Sequence, residues 1–361
     1  MRKTLFALFT AAGLAAFSLS GCSSQSSDSS PSQTAETAAS DAEDAADSSA
    51  EDSSEETSES SGSSQTAAIG LDKMVFTYVT SPLNVPSIIE RSQGIFADAF
   101  GQLGIDVEYA EITSGADQTQ ALASGDVQVL YAVGGSSVIL SAANGADIKI
   151  VNMYSRSPKA FCLYTKDETL TTPESLAGKT IGGPVGTNLH ELLAAYLATA
   201  DMSIDDVNYV NMTIPDAMAA LEGGSLDVAM VAGATAYQAQ QSGYHLVTDG
   251  EGLIDATIAV AVTEEFADTY PQLMDTLTAA QETIADFMEN QPDETLKIVA
   301  QELDLDTAAV EAMYPDYNFS IEITEDDIAG LQRTADFMLD AEMIQQEVDA
   351  SALFLEQGKT E

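Results

Sequence analysis

Gln120-Ala121-Leu122-Ala123-Ser124-Gly125-Asp126-Val127 runs on to Ala132-Val133-Gly134-Gly135-Ser136. Further along, Ala220-Leu221-Glu222-Gly223 and Leu226-Asp227-Val228 lead to Val231-Ala232-Gly233-Ala234-Thr235 in the same pattern. Each copy spells the end of a helix, a glycine stop, an aspartate, a short buried strand and a glycine-bearing turn into the next helix. The pattern sits at similar places in two α/β halves, which points to a bilobal protein.

Working outward, short apolar runs alternate with helical periodicity. Strands are expected at 74–80, 106–112, 127–133 and 148–153, with helices at 87–100, 118–124 and 136–144. After Lys166 the alternation resumes, with strands at 180–183, 208–212, 227–232 and 245–248 and helices at 188–200, 216–222 and 235–242. This is the signature of βαβ units around mainly parallel sheets. Beyond Thr263 the chain reads as helical, at 271–290, 293–303, 306–313 and 325–341.

The 361 residues allow two domains and a large core. Acidic residues number 58 against 12 basic, a formal charge of −46. That balance argues against nucleic acid, whose binders need a basic face, and against adhesion to anionic lipid by surface charge. There is no Trp, and there are only two Cys (Cys22, Cys162) and two His (His190, His245). A disulfide framework, a Cys/His metal site and most His-dependent catalysis are therefore disfavoured.

The N-terminal region reads differently. Arg2 and Lys3 precede an uncharged, mostly apolar run that ends in Leu19-Ser20-Gly21-Cys22. This has the form of a secretory signal over 1–21, too short to span a bilayer. Its end resembles the bacterial lipobox, which implies that Cys22 becomes a lipid-carrying N-terminus. From 22 to 68 the composition is Ser, Ala, Thr, Asp and Glu without Lys, Arg or aromatics, which reads as a disordered acidic tether. From Ile69 onward 47 acidic residues still face 10 basic ones. A long tether on a lipid suits the outer face of a Gram-positive type of cell membrane.

The QALASGD segment 120–126, Ser175-Leu176-Ala177-Gly178-Lys179-Thr180-Ile181-Gly182, and Ala219-Ala220-Leu221-Glu222-Gly223 followed by Asp227 carry a family resemblance. The chain is similar to type II solute-binding proteins of ABC importers, nearest to the group serving aliphatic sulfonates, taurine, nitrate and thiamine-pyrimidine precursors. The resemblance implies an α/β, two-lobed periplasmic-binding-protein fold with two hinge crossings, at 156–163 and 257–262, and a helical C-terminal tail. Residues 69–158 and 258–361 would form lobe I, and 159–257 lobe II. It also implies a monomer that captures a small molecule, works with an ABC permease, needs no cofactor or metal, and is not an enzyme.

Ligands of open α/β sheets sit beyond the carboxyl ends of strands, where helix N-termini point. Four junctions qualify: Thr80-Ser81-Pro82-Leu83-Asn84, Gly134-Gly135-Ser136-Ser137, Gly183-Pro184-Val185-Gly186-Thr187-Asn188, and Gly233-Ala234-Thr235. The candidate ligand-binding residues are Ser81, Asn84, Gly135, Ser136, Ser137, Tyr154, Thr187, Asn188 and Thr235. The competing reading of each junction is ordinary N-capping, and of Tyr154 a core position. Arg156 is either a counter-ion for an anion or a hinge residue. Arg91 and His190 read as solvated, and Cys162 as a small buried residue. A sulfonate-like anion and a neutral or cationic heterocycle, with Asp117 and Asp216 as its partners, both remain open. So do three classes: importer receptor, enzyme on the same fold, and sensor lipoprotein.

Overall fold

The computed structural model describes residues 70–355, so Cys22, the apolar run before it and the acidic tether lie outside the described residues. The first lobe begins with β1 (Lys73–Thr77), α1 (Val85–Gln93), α2 (Ile95–Gly101) and β2 (Asp106–Ala110). It continues with α3 (Gly115–Ser124), β3 (Leu130–Gly134), α4 (Gly135–Ala143) and β4 (Lys149–Arg156). The second holds β5 (Phe161–Thr165), β6 (Thr180–Gly183), α5 (Asn188–Ala198), β7 (Asn208–Asn211), α6 (Ile214–Gly223), β8 (Val228–Ala232), α7 (Gly233–Gln241) and β9 (His245–Asp249). The chain then returns through β10 (Thr257–Val262) to α8 (Glu264–Thr269), α9 (Pro271–Asn290), α10 (Pro292–Glu302), α11 (Thr307–Met313) and α12 (Glu325–Asp340).

The two lobes share one strand order. In the second it is β7-β6-β8-β5-β9. In the first, β2-β1 and β3-β10-β4 are joined by a parallel bridge between Phe76 and Val129, giving β2-β1-β3-β10-β4. The sheets are mixed rather than mainly parallel. β10 runs antiparallel to both β3 and β4, and β5 runs antiparallel to both β8 and β9. The reason is connectivity: β5 and β10 are the strands by which the chain arrives from the other lobe, so each enters its sheet in the opposite sense. Both were read from sequence as part of the crossings. The chain instead changes sheets between Arg156 and Phe161, and again between Asp249 and Thr257.

Two local differences have clear causes. The helix expected over 87–100 breaks at Gly94, whose φ of 68° is left-handed. The buried Glu90 carboxylate accepts the Phe96 N–H (3.1 Å) and the Tyr109 hydroxyl (2.7 Å), so the second segment starts on an acceptor supplied by the first. The helix before β8 stops at Gly224 (φ 75°), not Gly223; its counterpart before β3 is Gly125 (φ 79°).

The helical tail is fixed to the first lobe by Arg156. Its Nε and Nη2 donate to the two Asp327 oxygens at 2.7 and 2.6 Å, and it also donates to the carbonyls of Ser320 and Glu322. Four of the five Arg156 N–H groups are thus engaged by the protein and its charge is paired with Asp327, which leaves little of it for a ligand. Arg91 is not merely solvated: its guanidinium lies 4.3 Å from the Tyr78 ring centroid. Asp327→Ala would leave a mostly buried guanidinium unpaired and should cost about 3 kcal/mol. Asp255→Ala, whose pair with Arg333 is exposed, should cost about 1 kcal/mol or less. Although burial alone would raise it, the Arg156 and Thr324 bonds hold the Asp327 carboxyl below its ordinary value, so its contribution should disappear as pH falls through that range. Urea unfolding of both variants, with an acid series on the parent, checks this.

Candidate functional site

The four junctions singled out in the sequence open helices α1, α4, α5 and α7, two from each lobe. None of the four has a side-chain cap. By contrast α3, α6 and α12 are capped by Ser114, Thr213 and Thr324. The capping explanation therefore fails where the serines, threonine and asparagine were expected to serve it. Thr187, at the N-cap position of α5, turns its hydroxyl back to Pro184 O (2.9 Å). In α1 the Ser87 N–H is taken by the Tyr154 hydroxyl and Pro86 has none, so it is α4, α5 and α7 that begin with a partial positive charge and no side-chain acceptor for their first turn.

The lobes meet along these helix ends. The Ala234 N–H donates to Pro82 O at 3.1 Å. Gly233 has φ 54°, and a Cβ there would lie 1.6 Å from Pro82 O, so only glycine permits the approach. Ser137 Oγ donates to Gly186 O at 2.7 Å. Ser136 Oγ lies 2.6 Å from Asn188 Oδ1 and 2.7 Å from Glu191 Oε2. Asn188 Nδ2 donates to Thr257 O (3.3 Å), and Thr334 Oγ1 donates to Glu191 Oε1 (2.9 Å). Glu191 is 3% exposed, and burial pushes its carboxyl up to about 7 against the lowering effect of the Ser136 and Thr334 bonds.

Ser136, Ser137 and Asn188 thus come together at the seam, with Thr187 beside them. Gly135 sits where a Cβ would strike Leu331 (2.7 Å), which lets α4 start against α12. Asn84 braces its own loop, donating from Nδ2 to Val79 O (2.8 Å) and Ser81 O (3.1 Å). Thr235 is half-buried in the first turn of α7. Tyr154 is a core residue: its ring is edge-on to Tyr131, and its hydroxyl contacts the Ser87 N–H (3.1 Å) and Oγ (2.9 Å). His190 is not solvated as expected. It stacks on Tyr209 at 5.0 Å, its Nδ1 accepts the Gly186 N–H, and burial lowers its pKa. Asp117 and Asp216 are exposed in the first turns of the capped helices α3 and α6.

Three buried hydroxyls lack a hydrogen-bond partner near this junction: Ser81, Ser157 and Tyr317. Ser81 precedes Pro82. Ser157 follows Arg156, which is bridged to Asn318 beside Tyr317. Tyr317, Gly233 and Cys162 share a cavity of about 240 Å³ with Tyr164, Tyr237 and Asp249. Unpaired buried hydroxyls are uncommon in folded proteins and mark a place where a partner is missing. Ser157, Tyr317 and Glu191 had no motif to announce them, and only the crossing of the chain assembles them, whereas Gly233 lay in a junction already singled out. Among the described residues no group of three His, Cys, Asp or Glu side chains is placed to hold a metal ion. No helix among them is long and apolar enough to cross a membrane.

Two matching lobes joined by two crossings define a protein of the periplasmic-binding-protein fold. The alkanesulfonate-binding protein SsuA from Xanthomonas axonopodis, solved with bound MOPS, superposes with a TM-score of 0.72 at 20% identity, covering 79% of this chain and 98% of that one. The desulfurization enzyme DszB shares the fold more distantly (TM-score 0.56, 17% identity, 78% and 96% covered). Residues 84–295 match the NMT1/THI5-like family, and the chain belongs to it. The taurine-binding periplasmic protein of Escherichia coli is 30% identical over 52% of this chain; the match spans 58% of that relative's length. The putative aliphatic sulfonates-binding protein of Bacillus subtilis is 26% identical over 73% of this chain and 80% of its own.

Gly233→Ala tests the close approach. The side chain cannot coexist with the Pro82 contact, so the variant should populate more open forms and bind a lobe-bridging solute at least tenfold more weakly. The left-handed φ should itself destabilise the fold by only about 1–2 kcal/mol. Solution scattering beside thermal unfolding reads both effects.

Proposed function

We propose that this chain is the extracytoplasmic receptor of an ABC importer, closing two lobes on a small sulfonate-like anion and presenting it to a permease. In this reading 69–158 with 258–361 and 159–257 form the lobes, and they rotate about the segments on either side of Ser157 and Ala256. The observation that carries it is the meeting of uncapped helix N-termini from both lobes, α4 against α5 and α7 against the Pro82 loop, beside three unpartnered buried hydroxyls. A sulfonate offers three acceptor oxygens, which suits N–H and O–H donors arriving from both sides. The relatives named for taurine and aliphatic sulfonates support that ligand class. The high negative charge opposes an anion only at long range, because salt screens it beyond about 8 Å.

Binding rather than catalysis fits the available nucleophile. Cys162 is buried, and burial pushes its thiol up to about 12, far from the thiolate a reaction would need. His190 is engaged with Gly186, and His245 pairs with Thr165 farther along β5. A second ligand reading has its own support: Asp249 and Asp316 line the cavity with Tyr164, Tyr237 and Tyr317, surroundings that suit a basic heterocycle. We read residues 1–21 as an export signal and Cys22 as the lipidated residue that holds a monomeric receptor at the outer face of the cell membrane. Service as a sensor without transport would need no cognate permease.

Titration calorimetry with ethanesulfonate, taurine, nitrate and an aminopyrimidine separates the ligand readings, with tightest binding expected for a sulfonate. Tyr317→Phe and Ser157→Ala should each weaken binding by about 10- to 150-fold, the equivalent of a hydrogen bond to a charged group of roughly 1.5–3 kcal/mol. Ligand-free stability should be unchanged or slightly higher, because an unpaired polar atom is removed. Unaltered affinity in both variants would move the ligand elsewhere. Cys22→Ala should leave the protein unlipidated, as metabolic labelling with a fatty acid would report.

A further inference from the structure

The hydroxyl of Ser136 has one proton and two short contacts. Asn188 is oriented by its Nδ2 bond to Thr257 O, so its Oδ1 faces Ser136 as an acceptor. Glu191 Oε2 lies at 2.7 Å on the other side, and an ionised carboxylate has no proton to offer. One hydroxyl hydrogen cannot fill both contacts. The count closes only when Glu191 is a neutral acid: Ser136 donates to Asn188 Oδ1, Glu191 Oε2 donates to Ser136, and Thr334 donates to Glu191 Oε1.

These four residues lie on two lobes, Asn188 and Glu191 on α5 of the second and Ser136 and Thr334 on α4 and α12 of the first. We propose that closing the lobes places one proton on Glu191, so that capture of the solute is coupled to proton uptake. The proposal rests on lobe closure as the binding mechanism. When the lobes separate, Glu191 loses Ser136 and Thr334, meets water and ionises as an ordinary carboxyl. The charges around it give no competing cation. Glu191 borders a groove with Arg156, Asp255, Asp326, Asp327 and Arg333. There Arg156 is paired with Asp327 and Arg333 with Asp255. Its neighbour His190 is turned to Gly186. The groove also gives the proton a route from solvent. Burial and the Asp255 charge both favour the neutral form in the closed state.

The sign follows from linkage. A group bound to its proton more tightly when closed favours closure at low pH, and loses that effect as pH rises through its closed-state value. Ethanesulfonate, which does not titrate in this range, is the probe. Its affinity should fall by up to about tenfold per pH unit as pH rises from 4.5 toward about 7, and then level off. Calorimetry at pH 6 in buffers of different ionisation heat should show close to one proton taken up. Glu191→Gln supplies the same donor and acceptor without titrating, so it should bind with a flatter pH profile and no uptake. Binding without proton uptake by the parent, or an identical pH slope in E191Q, overturns the proposal.

If ethanesulfonate does not bind at all, the ligand assignment fails and a ligand-free measurement decides about the proton. Spin labels at Asp117 and Asp216, one per lobe, should show a closed population that grows from pH 8 to pH 5 in the parent and stays constant in E191Q. The same pH response in both contradicts it.

Discussion

A helix that begins inside a protein must find acceptors for its first N–H groups, and at the seam between the lobes α4, α5 and α7 begin without one from a capping side chain. At α1, α4, α5 and α7 the usual side-chain caps are missing. At the seam Pro82 O accepts the Ala234 N–H of α7, while the Ser137 hydroxyl of α4 donates to the Gly186 carbonyl just ahead of α5. Such a boundary holds helix-end donors from both lobes close together. It is stable when closed around something that accepts, and a small anion is the simplest such object.

The geometry that brings those ends face to face comes from chain crossing. Because β5 and β10 each enter a sheet from the other lobe, they lie antiparallel at equivalent positions in the two strand orders. The Ser157 N–H and the Ala256 carbonyl lie 3.4 Å apart, so the outgoing and returning segments run side by side. Ala256 holds a left-handed φ of 47° there. The Arg156–Asp327 bridge then ties the returning tail to the first lobe immediately before the chain leaves it. The passage of the chain between the lobes is thereby confined to a short pair of segments between two well-packed bodies.

Much of this was legible in the residues. The repeated helix, glycine, aspartate and strand pattern gave the βα units and the two lobes, and the small-residue junctions marked the helix ends that face each other. What was not legible depended on residues distant in sequence. Glu191 reads as a first-turn helix acid until Ser136 and Thr334 arrive from the other lobe. Tyr317 and Ser157 become neighbours only through the Arg156–Asn318 bridge. The break at Gly94 inside the helix expected over 87–100 depends on Glu90, whose buried carboxylate accepts the Phe96 N–H that starts the next helix. Tyr154 was eligible for a ligand from its strand position, and Ser87 took its hydroxyl instead.

The account stands on donors from both lobes serving one acceptor. Amide hydrogen exchange with and without ethanesulfonate measures those donors themselves. Protection should rise together in segments 134–138, 187–190 and 233–236, while the capped first turns of α3 and α6 remain unchanged. Protection confined to one lobe, or appearing instead along the tail groove near Asp275, Glu282 and Phe319, would contradict it.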